Sequence, residues 1–80
     1  MRGQSMRTDA VVGKNIQIAR KKQKLTQDQV AARLQVQGCD MSRGVYAKIE
    51  VGIRHIALDE LKAIKEVLKV PSYDDLFRGE

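Results

Sequence analysis

The sequence predicts an all-α fold, one domain of five short helices packed into a compact unit. Three observations lead there. Apolar residues recur at three- and four-residue spacings in separate segments, the period of helices buried on one face. Start and stop residues bracket those segments, with Thr26, Ser42, Gly38, Gly52 and Pro71 at their edges. No stretch alternates apolar and polar residues as a half-buried strand does, and no repeat or low-complexity tract interrupts the pattern.

Size and composition narrow the class. Eighty residues form a single domain near the lower limit of what folds without staples. A lone cysteine, Cys39, excludes an internal disulfide and suits a reducing compartment. No apolar run reaches the roughly 18 residues that a membrane-spanning helix needs. Arg2 and Arg7 are not followed by the apolar stretch of a secretory signal. The expected location is the cytoplasm, with no membrane partner.

The elements follow in order. Residues 1–8 lack apolar periodicity and read as a flexible N-terminal arm, leaving 9–78 as the folded domain. The first helix should start at Thr8 or Asp9 and bury Val12, Ile16 and Ala19. Gly13 inside it costs about 1 kcal/mol of helix propensity and suggests close approach by another element. The helix ends in the basic run Arg20 to Lys24, where cations suit the negative end of the helix dipole. Thr26-Gln27-Asp28-Gln29 is a capping box that opens a second helix, with Val30, Ala31 and Leu34 inward and Gly38 at its end. A fourth helix spans Leu58 to Lys69, burying Leu61, Ile64 and Leu68 with Ala63 and Val67 alongside. Pro71 ends it, and a short fifth helix lays Leu76 and Phe77 on the core.

The third helix carries the functional signal. Over residues 42–51, at about 100° per residue, Tyr46 and Ile49 face one side, while Gly44, Ala47, Lys48 and Val51 face the other. Ser42 is a good N-cap and Gly52 a good stop. The outer face, with Arg43 at its edge, is basic and small. It fits a DNA major groove, where Arg or Lys reaches base edges and small residues admit close approach. The charge distribution agrees. Residues 1–56 carry eleven Lys/Arg against four Asp/Glu, and residues 57–80 four against six, so one end is basic and suits a polyanion. Gln27 lies in a first helical turn, whose free N–H groups can hold a phosphate.

Two segments, L-T-Q-D-Q-V-A-A-R-L and S-R-G-V-Y-A-K-I-E-V-G, together resemble the helix-turn-helix pair of the lambda-repressor and Cro-like family, also called the xenobiotic-response-element family. V-G-K-N-I-Q-I-A-R is similar to that family's first helix. L-D-E-L-K-A-I-K-E-V-L-K-V-P followed by D-D-L-F is similar to its last two, so the resemblance covers residues 10–77. It implies a five-helix domain that binds double-stranded DNA and needs no cofactor or metal. Arg43, Gly44, Ala47 and Lys48 are then the base-contacting positions, and Gln27 and Ser42 phosphate contacts. Arg20, Lys21 and Arg54 join the phosphate set. Arg20 and Glu50 match a pair that forms an internal ion pair near the DNA surface, with any DNA contact by Arg20 secondary.

Three departures from the family pattern stand out. The connection between Leu34 and Ser42 is several residues longer than the tight family turn, as in a variant branch. Gly44, Ala47 and Val51 replace polar base readers, so hydrogen-bond readout rests on Arg43 and Lys48. Ala57 replaces the Ser or Thr cap before the fourth helix.

The functional reading is a sequence-specific transcriptional regulator, a repressor by preference, that inserts helix 42–51 into the major groove. Because one domain covers a half-site, it is expected to act as a homodimer on an inverted repeat, pre-formed or assembled only on DNA. The dimer surface falls to exposed apolar residues near the fourth helix, the fifth helix or the C-terminus. The alternative reading is an antitoxin or adaptor-type module that uses the same fold to hold a protein partner. Catalysis is not expected. Cys39 and His55 are the one candidate nucleophile–base pair, with no third group to orient them, and no Cys/His set has zinc-site spacing.

Overall fold

Four of the five helices stop at the same local device. The computed structural model describes residues 2–79, with side chains from residue 8 onward. The elements are α1 (Arg2–Lys22), α2 (Gln27–Val36), α3 (Arg43–Glu50), α4 (Leu58–Val67) and α5 (Asp74–Phe77). Just past α1, α2, α3 and α4, one residue turns left-handed: Lys24, Gly38, Gly52 and Lys69, at φ 60°, 86°, 82° and 56°. Each turn closes paired bonds onto the preceding helix. Beyond α2, Cys39 N donates to Leu34 O and Gly38 N to Gln35 O, both at 2.9 Å. Such pairs satisfy carbonyls that a helix end leaves without partners. Glycine marks only two of the four stops. At Lys69 the turn ends α4 at Val67, two residues short of the expected Lys69.

The helix starts differ in quality. At α2 the capping box is complete, with Gln29 N donating to Thr26 Oγ1 at 3.1 Å and Thr26 N to Gln29 Oε1 at 2.8 Å. At α3, Val45 N donates to Ser42 Oγ at 3.2 Å. The start of α4 has half a box: Ala57 N donates to Glu60 Oε1 at 3.0 Å, but Ala57 has no side-chain acceptor to return the bond.

The start of α1 differs from expectation, since the helical backbone begins at Arg2 and neither Thr8 nor Asp9 caps it. Once core contacts fix a helix, each added turn forms hydrogen bonds without a new nucleation cost. No proline stops that growth here. Met1 and the side chains of residues 2–7, most of the expected arm, lie outside the described residues.

α1 packs on α3 and α5, and α2 on α3 and α4. Ile16, Leu34, Tyr46, Ile49, Ile64 and Leu68 close the core between them. Met41 from the long connection and Val70 after α4 are also buried. Gly13 lets α1 touch the end of α3. A Cβ there would run into the Ile49 carbonyl oxygen and lie 2.7 Å from that of Glu50. α5 is tied to α1 by Asn15, whose Nδ2 donates to Leu76 O at 2.9 Å and Arg78 O at 2.8 Å. Leu76 is buried as expected, but Phe77 is 38% exposed. A single helical turn can turn only one of two adjacent residues fully inward. Among the described residues no helix is long and apolar enough to cross a membrane.

Candidate nucleic-acid interface

α3 separates its two faces cleanly. Tyr46, Ile49 and Glu50 are buried, Ala47 is half-buried, and Arg43, Gly44, Lys48 and Val51 are exposed. The Ser42 cap leaves Arg43 at the first helical position, with its side chain free to sweep past the helix end. The longer connection is anchored by Met41, which is buried, while Asp40 stays exposed. Nothing from that connection covers the outer face of α3 at Gly44, where the nearest non-neighbouring atom to a built Cβ is Ser42 Oγ at 4.0 Å.

A buried polar cluster fixes the inner side. Arg20 Nε donates to Glu50 Oε2 at 2.6 Å and Nη2 to Glu50 Oε1 at 3.1 Å, while Nη1 donates to Leu25 O at 2.9 Å. Gln27 Nε2 is the third donor to this carboxylate, reaching Oε1 at 3.0 Å. α1, α2 and α3 therefore meet on one carboxylate whose side chain is 1% exposed. Burial alone would raise its pKa, but the hydrogen bonds from Arg20 and its other neighbours outweigh that and hold it below the usual carboxylate range. The same bond to Glu50 raises Arg20 further above its already high value. The Tyr46 hydroxyl is buried beside this cluster and has no hydrogen-bond partner among the described residues. Burial pushes its pKa up.

Several of the expected phosphate ligands have partners within the protein. All three guanidinium nitrogens of Arg20 donate within the protein. Arg54 is likewise committed: Nη1 and Nη2 meet Glu60 Oε1 and Oε2 at 2.9 and 3.0 Å, and Nη1 also reaches His55 O at 3.2 Å. Charge pairing with Glu60 raises Arg54 and, from the other side, lowers Glu60. Gln27 turns its amide nitrogen to Glu50. Lys21 and Lys48 are exposed and have no ion-pair partner among the described residues. Arg43 faces Asp28 of α2, with Nε 3.8 Å from Oδ1. Sequence periodicity gave no hint of that contact, because it joins two helices across their connection.

Away from this surface, Leu58, Leu61, Tyr73 and Phe77 line an apolar groove between α4 and α5, rimmed by Asp59 and Lys62. Lys65 Nζ stacks 5.1 Å from the Tyr73 ring centre beside it. Cys39 is half-buried, and desolvation raises its thiol pKa, the reverse of what a nucleophile needs. His55 Nδ1 faces Asp9 Oδ1 at 3.2 Å instead of Cys39.

A family model described as Helix-turn-helix matches residues 16–74, from the middle of α1 into α5. No curated protein and no solved structure matches the chain.

Proposed function

The chain belongs to the helix-turn-helix family of lambda-repressor and Cro type, a family of DNA-binding domains, and on that premise we propose that it is a sequence-specific repressor acting as a homodimer on an inverted repeat. The observation that carries the reading is the outer face of α3: Arg43 and Lys48 exposed on either side of Gly44 and Ala47, on a helix with no cover on that side. Arg43 and Lys48 supply hydrogen bonds to base edges, guanine O6 and N7 being their natural acceptors. Gly44 and Ala47 let the helix sit deep, and Ala47 and Val51 offer apolar contact to thymine methyls. Lys21, Ser42 and the α2 N-terminus at Gln27 meet the phosphate backbone and set register.

A second copy supplies the other half-site. We assign the α4–α5 groove to that contact, because it is the apolar surface whose rim carries one acidic and one basic residue, Asp59 and Lys62. In a two-fold interface each charge meets its opposite on the partner, so the patch is self-complementary.

The test is selection from a randomised duplex library with purified protein at moderate salt. Enrichment of an inverted repeat with half-site centres about ten base pairs apart is the expected result. On that site Arg43→Ala costs roughly 1–3 kcal/mol and relaxes one position, whereas Lys21→Ala or Lys22→Ala weakens all sequences alike. Retention without an enriched motif would overturn the reading. The second reading, an antitoxin or adaptor, would then apply, with the groove at Leu58, Tyr73 and Phe77 holding a partner protein.

A further inference from the structure

We propose that Asp28 is a specificity-determining residue that aims Arg43 at a guanine, a step that rests on the base-reading role given to Arg43 above. Asp28 lies in the first turn of α2, and its side chain is 80% exposed on the surface that carries the proposed base readers. A carboxylate there weakens the attraction of a polyanion to this surface, although it suits the positive end of the α2 dipole. Stabilising α2 accounts for an acid in that turn, but not for its direction. Its oxygen is 3.8 Å from Arg43 Nε, an ion-pair distance, and Arg43 has no other ion pair among the described residues.

The side of the guanidinium that faces Asp28 is the Nε edge. The Nη1–Nη2 end remains free, and that end forms the parallel fork that matches O6 and N7 of guanine. An unrestrained Arg43 could instead swing its fork to a phosphate, since it sits at the helix end with its side chain 60% exposed. Asp28 disfavours that swing by drawing the Nε edge towards α2. In water the contact contributes little, but a groove that excludes water strengthens it. Asp28 thus exchanges some general attraction to DNA for discrimination at one base pair.

The experiment repeats the duplex selection with the full chain, Asp28→Asn and Arg43→Ala, with thermal melting and salt titration of each. The wild type should enrich a guanine at one position per half-site, and Arg43→Ala should lose it. Asp28→Asn should lower that preference about fivefold, as for the stronger exposed ion pairs. It should leave the other positions unchanged and bind random duplex equally well or more tightly. An Asp28→Asn motif identical to the wild type overturns the proposal while leaving Arg43 as a reader. A motif that survives Arg43→Ala overturns both. A uniform loss at every position, tracking a lowered melting temperature, overturns it in favour of a purely structural Asp28.

Discussion

Gly13→Ala sets two effects of known size against each other. On helix propensity alone the substitution should stabilise α1 by about 1 kcal/mol. The structure opposes this, because the new methyl would run into the Ile49 carbonyl oxygen and sit 2.7 Å from that of Glu50. Both are backbone atoms of α3, so no flexible side chain can move aside. Relief requires α1 and α3 to part, at a cost near the upper end for overpacking, about 3 kcal/mol. The net loss is roughly 2 kcal/mol, and for a domain of this size that lowers the melting temperature by about 8–16 °C. Gly44→Ala is the control. Its Cβ would meet nothing nearer than 4.0 Å, so propensity acts alone and stability rises by up to about 1 kcal/mol. Urea denaturation of both variants, with the slope checked for constancy, measures the two signs. A Gly13→Ala midpoint equal to or above the wild type would refute the close approach of α1 to the end of α3.

The remaining predictions concern Glu50 and the start of α4. Glu50→Gln leaves Arg20, whose side chain is 12% exposed, without its counter-charge, and should cost about 3 kcal/mol at neutral pH. Since folding depresses the Glu50 pKa, its ionisation stabilises the domain above the ordinary carboxylate range, and that stabilisation fades as pH falls from about 5. The gap between wild type and Glu50→Gln should therefore narrow in acid; a gap constant from neutral to acid pH would contradict the depressed pKa. Ala57→Ser should complete the half-formed box with Glu60 and add about 0.5–2 kcal/mol. A denaturation midpoint that does not move would place the start of α4 elsewhere.

What the sequence disclosed was mostly what lies within one helix. Val12 and Ile16, Val30 and Leu34, and Leu61 and Ile64 show their burial through spacing, because a helix repeats its inner face every three or four residues. The Thr26 box was legible for the same reason, both partners being local. The stops at Lys24 and Lys69 were not. A left-handed lysine is disfavoured by about 1–2 kcal/mol, so propensity argues against it and tertiary packing must outweigh it. Phe77 was misread because a one-turn helix has too few residues to show a period. At the candidate site, the face of α3 followed from spacing, and the pairing of Arg20 with Glu50 from resemblance. The partners of Gln27, Arg54 and Arg43 come from other segments, and no periodicity reports them.

Fifteen Lys and Arg residues look interchangeable in composition, but the fold divides them into paired and unpaired groups. Arg20, Arg54 and Arg78 hold carboxylates at 2.6–2.9 Å, where they brace α3, the start of α4 and α5. Arginine suits that task because its planar fork gives several donors at a fixed angle. The exposed Lys21, Lys22, Lys24 and Lys48 have no such partners among the described residues, so each remains a mobile point charge. The internal pairs contribute nothing to counterion release on a polyanion, since their charge is already balanced. The salt dependence of duplex binding should then follow the unpaired cations of the basic end, at about 0.9 per phosphate neutralised. The number of Lys and Arg residues therefore overstates the cations free to meet a polyanion, and the pair between Arg20 and Glu50 that lowers it ties α3 to α1.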